Sequence, residues 1–143
     1  MVAWGDNDQG QLGDDTWTDS LAVVPMLYAT GAQAVACGAN HSLYIGEENT
    51  VLACGNNDYG QLGDGTTTSS NVPVAVDRTG VLAGKTVTAI SAGAISMALC
   101  SDGTVASWGS GWKGSLGNGS TANSSVPVAV STSDVLVGKT VTS

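Results

Sequence analysis

Leu52-Ala53-Cys54-Gly55-Asn56-Asn57-Asp58-Tyr59-Gly60-Gln61-Leu62-Gly63 decides the fold, because related copies of it stand in the chain three times. The first copy runs from Val2-Ala3-Trp4-Gly5 to Gly10-Gln11-Leu12-Gly13. The third runs from Ala106-Ser107-Trp108-Gly109 to Gly114-Ser115-Leu116-Gly117. Trp4 and Cys54 stand 50 positions apart, and Cys54 and Trp108 stand 54 apart. A period of that size marks stacked supersecondary units, since one unit alone cannot bury its own apolar face. The units fall at residues 1–50, 51–104 and a truncated 105–143.

Working outward, each copy opens with a short strand and then a polar loop. The loop Gly5-Asp6-Asn7-Asp8-Gln9-Gly10 has Gly at both ends, which lets the backbone turn through positive φ without a side-chain clash. Polar residues follow, then Val23-Val24-Pro25-Met26-Leu27, Val72-Pro73-Val74-Ala75-Val76 and Val126 to Val130. A Pro inside such a run predicts an edge strand, because its missing N–H would break an interior ladder. Between the copies lie strand pairs, Ala34 to Gly38 with His41 to Ile45, and Val87 to Ala92 with Ser96 to Cys100. Asp102-Gly103 reads as a two-residue hairpin turn. Gly138-Lys139-Thr140-Val141-Thr142 copies Gly84 to Thr88 and reads as the first strand of a further unit. Four antiparallel strands in some 50 residues predict an all-β chain of propeller blades. Two blades are complete, at residues 34–76 and 87–130, with partial blades at both termini. Met1 sits directly on the first repeat and reads as a cut through a longer array.

Composition agrees: Phe is absent, Gly numbers 20, and Ser, Thr and Val abound. No stretch has the length and apolarity of a membrane span, and no signal peptide is legible. The net charge of −8 argues against nucleic acid as a partner, since phosphate binding needs clustered Lys and Arg, and the four here are scattered. The charge is also polarised. Residues 1–50 carry seven acids and no Lys or Arg, while residues 105–143 carry Asp134 against Lys113 and Lys139. That gradient suits a head-to-tail contact between first and last repeats. Cys37 and Cys54 fall on strands one and three of one sheet, about 9–10 Å apart, too far for a disulfide. They read as buried small hydrophobes.

Gly38-Ala39-Asn40-His41-Ser42, Val105-Ala106-Ser107-Trp108-Gly109 and Asn57-Asp58-Tyr59-Gly60-Gln61-Leu62-Gly63 resemble the repeats of the regulator of chromosome condensation family. The likeness recurs in register over essentially the whole chain, with the run Thr66 to Val76 and its copy Thr121 to Val130 closest to bacterial members. It implies a seven-bladed ring closed by strand sharing, of which this chain holds far too few strands. The pattern also departs locally. Gly93-Ala94-Ile95-Ser96 is one residue shorter and lacks the His, Cys54 replaces a Trp, and Ser115 replaces a Gln.

A search for catalytic chemistry yields little. His41 is the only histidine and sits at a repeat-defined position, which favours a hydrogen bond between blades over general base catalysis. Gly84-Lys85-Thr86 lacks the Gly that a phosphate loop needs four intervening residues earlier. Asp6 and Asp8 resemble the opening of a calcium loop without its closing Glu, so a turn is expected and no metal. Adjacent acids at Asp14-Asp15 and Glu47-Glu48 do not flank a substrate. The chain therefore reads as a non-enzyme without cofactors.

Propellers present loops from successive blades on one rim. The binding candidates are Asp6, Asp8, Trp17, Asn40, His41, Asn57, Tyr59, Trp112 and Lys113, the aromatics because exposed Trp and Tyr anchor interfaces. A protein partner is expected, with self-association into a ring or membership of a larger propeller, in a secreted or surface-borne protein. The resemblance adds two readings: a grip like that of a propeller-type β-lactamase inhibitor, and nucleotide exchange on a small GTPase with chromatin docking. Self-assembly alone is a third.

Overall fold

The computed structural model describes residues 1–131 and 141. Among them lie ten strands: β1 (Val2–Gly5), β2 (Ser20–Pro25), β3 (Ala34–Cys37), β4 (His41–Ile45), β5 (Val51–Gly55), β6 (Ser70–Ala75), β7 (Val87–Ala92), β8 (Ile95–Cys100), β9 (Val105–Gly109) and β10 (Ser124–Ala129). They form two four-stranded antiparallel meanders, β3-β4-β5-β6 and β7-β8-β9-β10, and a two-stranded sheet, β1-β2. This is the predicted arrangement of two complete blades preceded by half a blade. The strand expected over 138–142 lies outside the described residues except for Val141.

The Pro-bearing strands β2, β6 and β10 each stand at the edge of their sheet, as their missing N–H requires. They begin earlier than the apolar runs alone indicate, at Ser20, Ser70 and Ser124. These serines pair with Gly5, Gly55 and Gly109, and each hydroxyl donates to a carbonyl two residues on. The turn at Asp102-Gly103 differs from expectation. The Cys100 N–H donates to Thr104 O (2.9 Å) and the Gly103 N–H to Cys100 O (2.9 Å), so three residues, Ser101 to Gly103, make the loop. Gly103 at φ 83° takes the left-handed position that a three-residue hairpin requires.

The main core lies between the two complete blades. Leu43, Ile45, Val51 and Ala53 of the first meet Ala98, Cys100, Ala106 and Trp108 of the second. Small residues, Ala34, Ala36 and Ala92, line the inner strands, where blades come closest, while Trp108 fills the wider part. A smaller core joins the half-blade to the other face of the first blade through Met26, Ala29, Tyr44 and Cys54. The half-blade brings no inner strands among the described residues, so nothing covers β3 on that side. Val35 and Cys37 are exposed, while Cys54 and Cys100 are buried. Cys37 is thus not the buried small hydrophobe expected. Its side chain lines an apolar cleft of about 390 Å³ with Val2, Trp4, Val35 and Met26.

Candidate partner-binding rim

The loops that follow β1, β5 and β9 emerge at one end of the sheets. Strand register fixes this: Gly55 pairs with both His41 and Ser70, and Gly109 with both Ile95 and Ser124. The β3–β4 turn, with Asn40, opens at the same end, and Asn40 O accepts the Asn56 N–H at 2.8 Å. All nine candidates therefore gather at one rim.

They divide into a framework and a surface. Asn57 is fully buried and organises loop two. Its Oδ1 accepts the Leu62 N–H (2.9 Å), and its Nδ2 faces Asp64 Oδ1, Thr66 O, Thr66 Oγ1 and Thr68 O at 3.1–3.3 Å. Asn7 repeats the arrangement in loop one, with Leu12 on its Oδ1 and Asp14, Thr16 and Thr18 around its Nδ2. A buried amide so satisfied is costly to remove, and it makes the loop a rigid platform. Loop three has Gly111 at this position. Its backbone closes in until a Cβ there would lie 2.0 Å from Ala122 O, and Asn123 Oδ1 accepts the Gly111 N–H (3.0 Å).

His41 is also framework, buried with its Nε2 2.8 Å from Ser96 Oγ of the second blade. The Ser96 hydroxyl donates to Gln61 O (2.7 Å), so the bond from His41 needs a proton on Nε2. Burial lowers its pKa to about 4, which holds the ring neutral at pH 7. Trp108 Nε1 donates to the same Gln61 carbonyl at 2.8 Å. The histidine thus ties two blades together, as its place in the repeat predicts, and faces no substrate.

The surface group is Asp6, Asp8, Trp17, Asn40, Tyr59, Trp112 and Lys113, all exposed. Trp17, Tyr59 and Trp112 keep 49%, 52% and 70% of their area in contact with solvent. Lys113 Nζ lies 4.3 Å above the Trp112 ring. Asp6, Asp8 and Asp19 bring carboxylate oxygens within 4.8 Å of one another. Two of them serve the loop itself: Asp6 accepts the Asp8 N–H (3.1 Å) and Asp19 the Asn7 N–H (2.8 Å). Sequence reasoning passed over two residues of the open end, Trp4 and Leu21, which are 65% and fully exposed. The signal was present: Trp4 copies Trp108, a residue that needs a neighbouring blade to cover it.

The regulator of chromosome condensation (RCC1) repeat description matches residues 3–45, 48–99 and 102–142, and a second form of it matches residues 32–61. The chain belongs to the RCC1 repeat family. Among solved structures, human WBSCR16 superposes at a TM-score of 0.76 with 29% identity, over 94% of this chain and 35% of that one. Prp20p of Saccharomyces cerevisiae, a protein studied for binding Gsp1p and histones, gives a TM-score of 0.76 and 19% identity, over 94% and 35%. The yeast RCC1 (Prp20) bound to Kap60 gives 0.76 and 20%, over 94% and 34%. The RCC1-repeat chain thus spans about a third of the length of these proteins, as a partial propeller does.

Proposed function

We propose that this RCC1-repeat chain is a non-catalytic protein-interaction module that grips a protein partner through its rim loops and associates with itself through its open ends. One observation carries the reading: three aromatic side chains, Trp17, Tyr59 and Trp112, stand exposed on loops pinned to the blades. Rigid aromatic anchors on a fixed scaffold lose little entropy on binding, which is how hot spots work. The structural relatives add support, since Prp20p binds Gsp1p and histones and forms a complex with Kap60, all proteins. The acids Asp6, Asp8 and Asp19 favour a basic partner surface and disfavour nucleic acid. A secreted or surface-borne setting goes with this reading. The chain immobilised on a support is the test, with proteins captured from a host extract compared with those held by a variant carrying Trp17→Ala, Tyr59→Ala and Trp112→Ala. Undiminished affinity in the variant would discard the rim.

Nucleotide exchange on a small GTPase, with chromatin docking, is the second reading, favoured by the likeness to Prp20p. Release of a fluorescent guanine nucleotide from a small GTPase, unaccelerated by this chain, would exclude it. Self-assembly with no further partner is the third, distinguished by an empty capture experiment alongside a large particle mass.

A further inference from the structure

Each internal blade boundary uses one set of contacts, and the two open ends of the chain carry the two halves of that set. Loop one seats on the first complete blade at Gly10, where a Cβ would lie 2.6 Å from Asn71 Cα, and the Asp15 N–H donates to Asn71 O (3.0 Å). Loop two seats on the second blade in the same way. A Cβ on Gly60 would lie 2.5 Å from Ser125 Cα, and the Gly65 N–H donates to Ser125 O (2.9 Å). Gln61 O takes the Trp108 indole N–H, and Gln9 Oε1 takes the Asn56 amide at 2.9 Å.

Loop three holds the donating half with nothing upon it. Gly114 and Gly119, the counterparts of Gly60 and Gly65, have similar φ of 76° and 80° and no described atom within 4 Å of where a Cβ would stand. Lys113 is the counterpart of Gln9 and is exposed. The half-blade holds the receiving half, equally bare. Trp4 is the counterpart of Trp108 but 65% exposed against 0%. Leu21, the counterpart of Asn71 and Ser125, is a fully exposed leucine. Asp6, the counterpart of Asn56, belongs to the acidic trio.

We propose that loop three of one copy docks on the half-blade of a second copy, head to tail, in the register of the internal boundaries. Gly114 then crosses the backbone at Leu21, and the Gly119 N–H donates to Leu21 O. The Trp4 indole donates to Ser115 O, and Lys113 faces Asp6. The proposal rests on the self-association stated above and names its surfaces. Charge selects the occupant. The internal boundary pairs two neutral amides, Gln9 with Asn56, whereas the ends replace them with Lys and Asp, opposite charges at the two positions that would meet. Burying Trp4 and Leu21 supplies the apolar part. Such a contact is heterologous, so it closes into a ring or runs on as a filament.

Sedimentation velocity on the full chain over a wide concentration range, at low and at high salt, tests this. The mass should rise with concentration, and less so at high salt. Trp4→Ala should weaken association about thirtyfold. Asp6→Lys and Lys113→Glu should each weaken it about tenfold, and the double charge swap should restore it. All three side chains are exposed in the single copy, so each variant keeps its fold. A monomer at every concentration overturns self-docking and leaves the rim-loop binder standing. Association that ignores Trp4→Ala and gains nothing from the charge swap overturns this register and leaves self-association standing.

Discussion

Gly60 and Gly114 hold the same place in two copies of one loop and meet opposite surroundings. Gly60 lies so tightly on β10 that no side chain would fit, while Gly114 has open space before it. Both adopt the same left-handed backbone, at φ 85° and 76°. The loop conformation therefore does not depend on the contact. It is set within the loop and presented to whatever blade comes alongside. The repeat motif is in this sense a connector, and the rim aromatics are what each connector carries outward.

Trp108 and Trp4 make the same comparison for the receiving side and give the largest expected effect. Trp108 is fully buried and hydrogen-bonded to Gln61 O, so Trp108→Ala should cost about 3–5 kcal/mol in urea unfolding. Trp4→Ala, measured on dilute protein, should stay within about 0.5 kcal/mol of the parent. Equal losses would mean that Trp4 is covered after all, and the two ends would no longer differ.

The covered boundary also contains a proton-sensitive pair. Burial lowers the pKa of His41 from 6.5 to about 4. Between those values the unfolded chain binds a proton that the folded chain refuses, so stability falls as the pH drops from about 6.5 and levels off below about 4. The full loss is about 3 kcal/mol. In His41→Gln that particular slope should vanish from a series of unfolding curves across this range. A parent curve flat between pH 7 and 4 would show that His41 titrates freely and that the blades separate there.

A third comparison separates backbone strain from contact. Ala at a left-handed position costs about 1–2 kcal/mol wherever it occurs. Gly114→Ala should cost only that, whereas Gly60→Ala adds overpacking against the β10 backbone of about 1–3 kcal/mol. The difference between the two variants is the informative quantity, and thermal unfolding reads it. A difference near zero would mean that blade and loop part without loss.

The sequence made the strands, their order and the edge positions legible, because periodicity, Gly and Pro act locally. Val72-Pro73-Val74 declares an edge strand from its own composition. Burial was less legible where it depends on the neighbouring blade. Trp4 and Trp108 read alike in their local setting, Ala3-Trp4-Gly5 against Ser107-Trp108-Gly109, yet one is exposed and the other sealed. Asn57 looked like a rim residue because Asn is polar and lies in a loop. Only the folded loop shows its amide turned inward onto Asp64, Thr66 and Thr68. Tyr59, two residues on, looked the same on paper and does face solvent.

The cysteines carry the comparison to its smallest scale, where no stability changes and only accessibility is read. Cys37 and Cys54 belong to one sheet, two strands apart, on β3 and β5. The half-blade covers the outer part of that face, where Cys54 packs with Met26 and Tyr44, and leaves the inner part bare. Burial pushes the Cys54 thiol up to about 12 and raises that of Cys100, which removes the reactive thiolate at neutral pH. A thiol reagent should therefore label one cysteine rapidly in the native chain and all three once it is unfolded, with mass mapping placing the fast site at Cys37. Rapid labelling of Cys54 instead would mean that the half-blade does not stay on its neighbour. The smaller core of Met26, Ala29, Tyr44 and Cys54 would then be too weak to hold the receiving end in place.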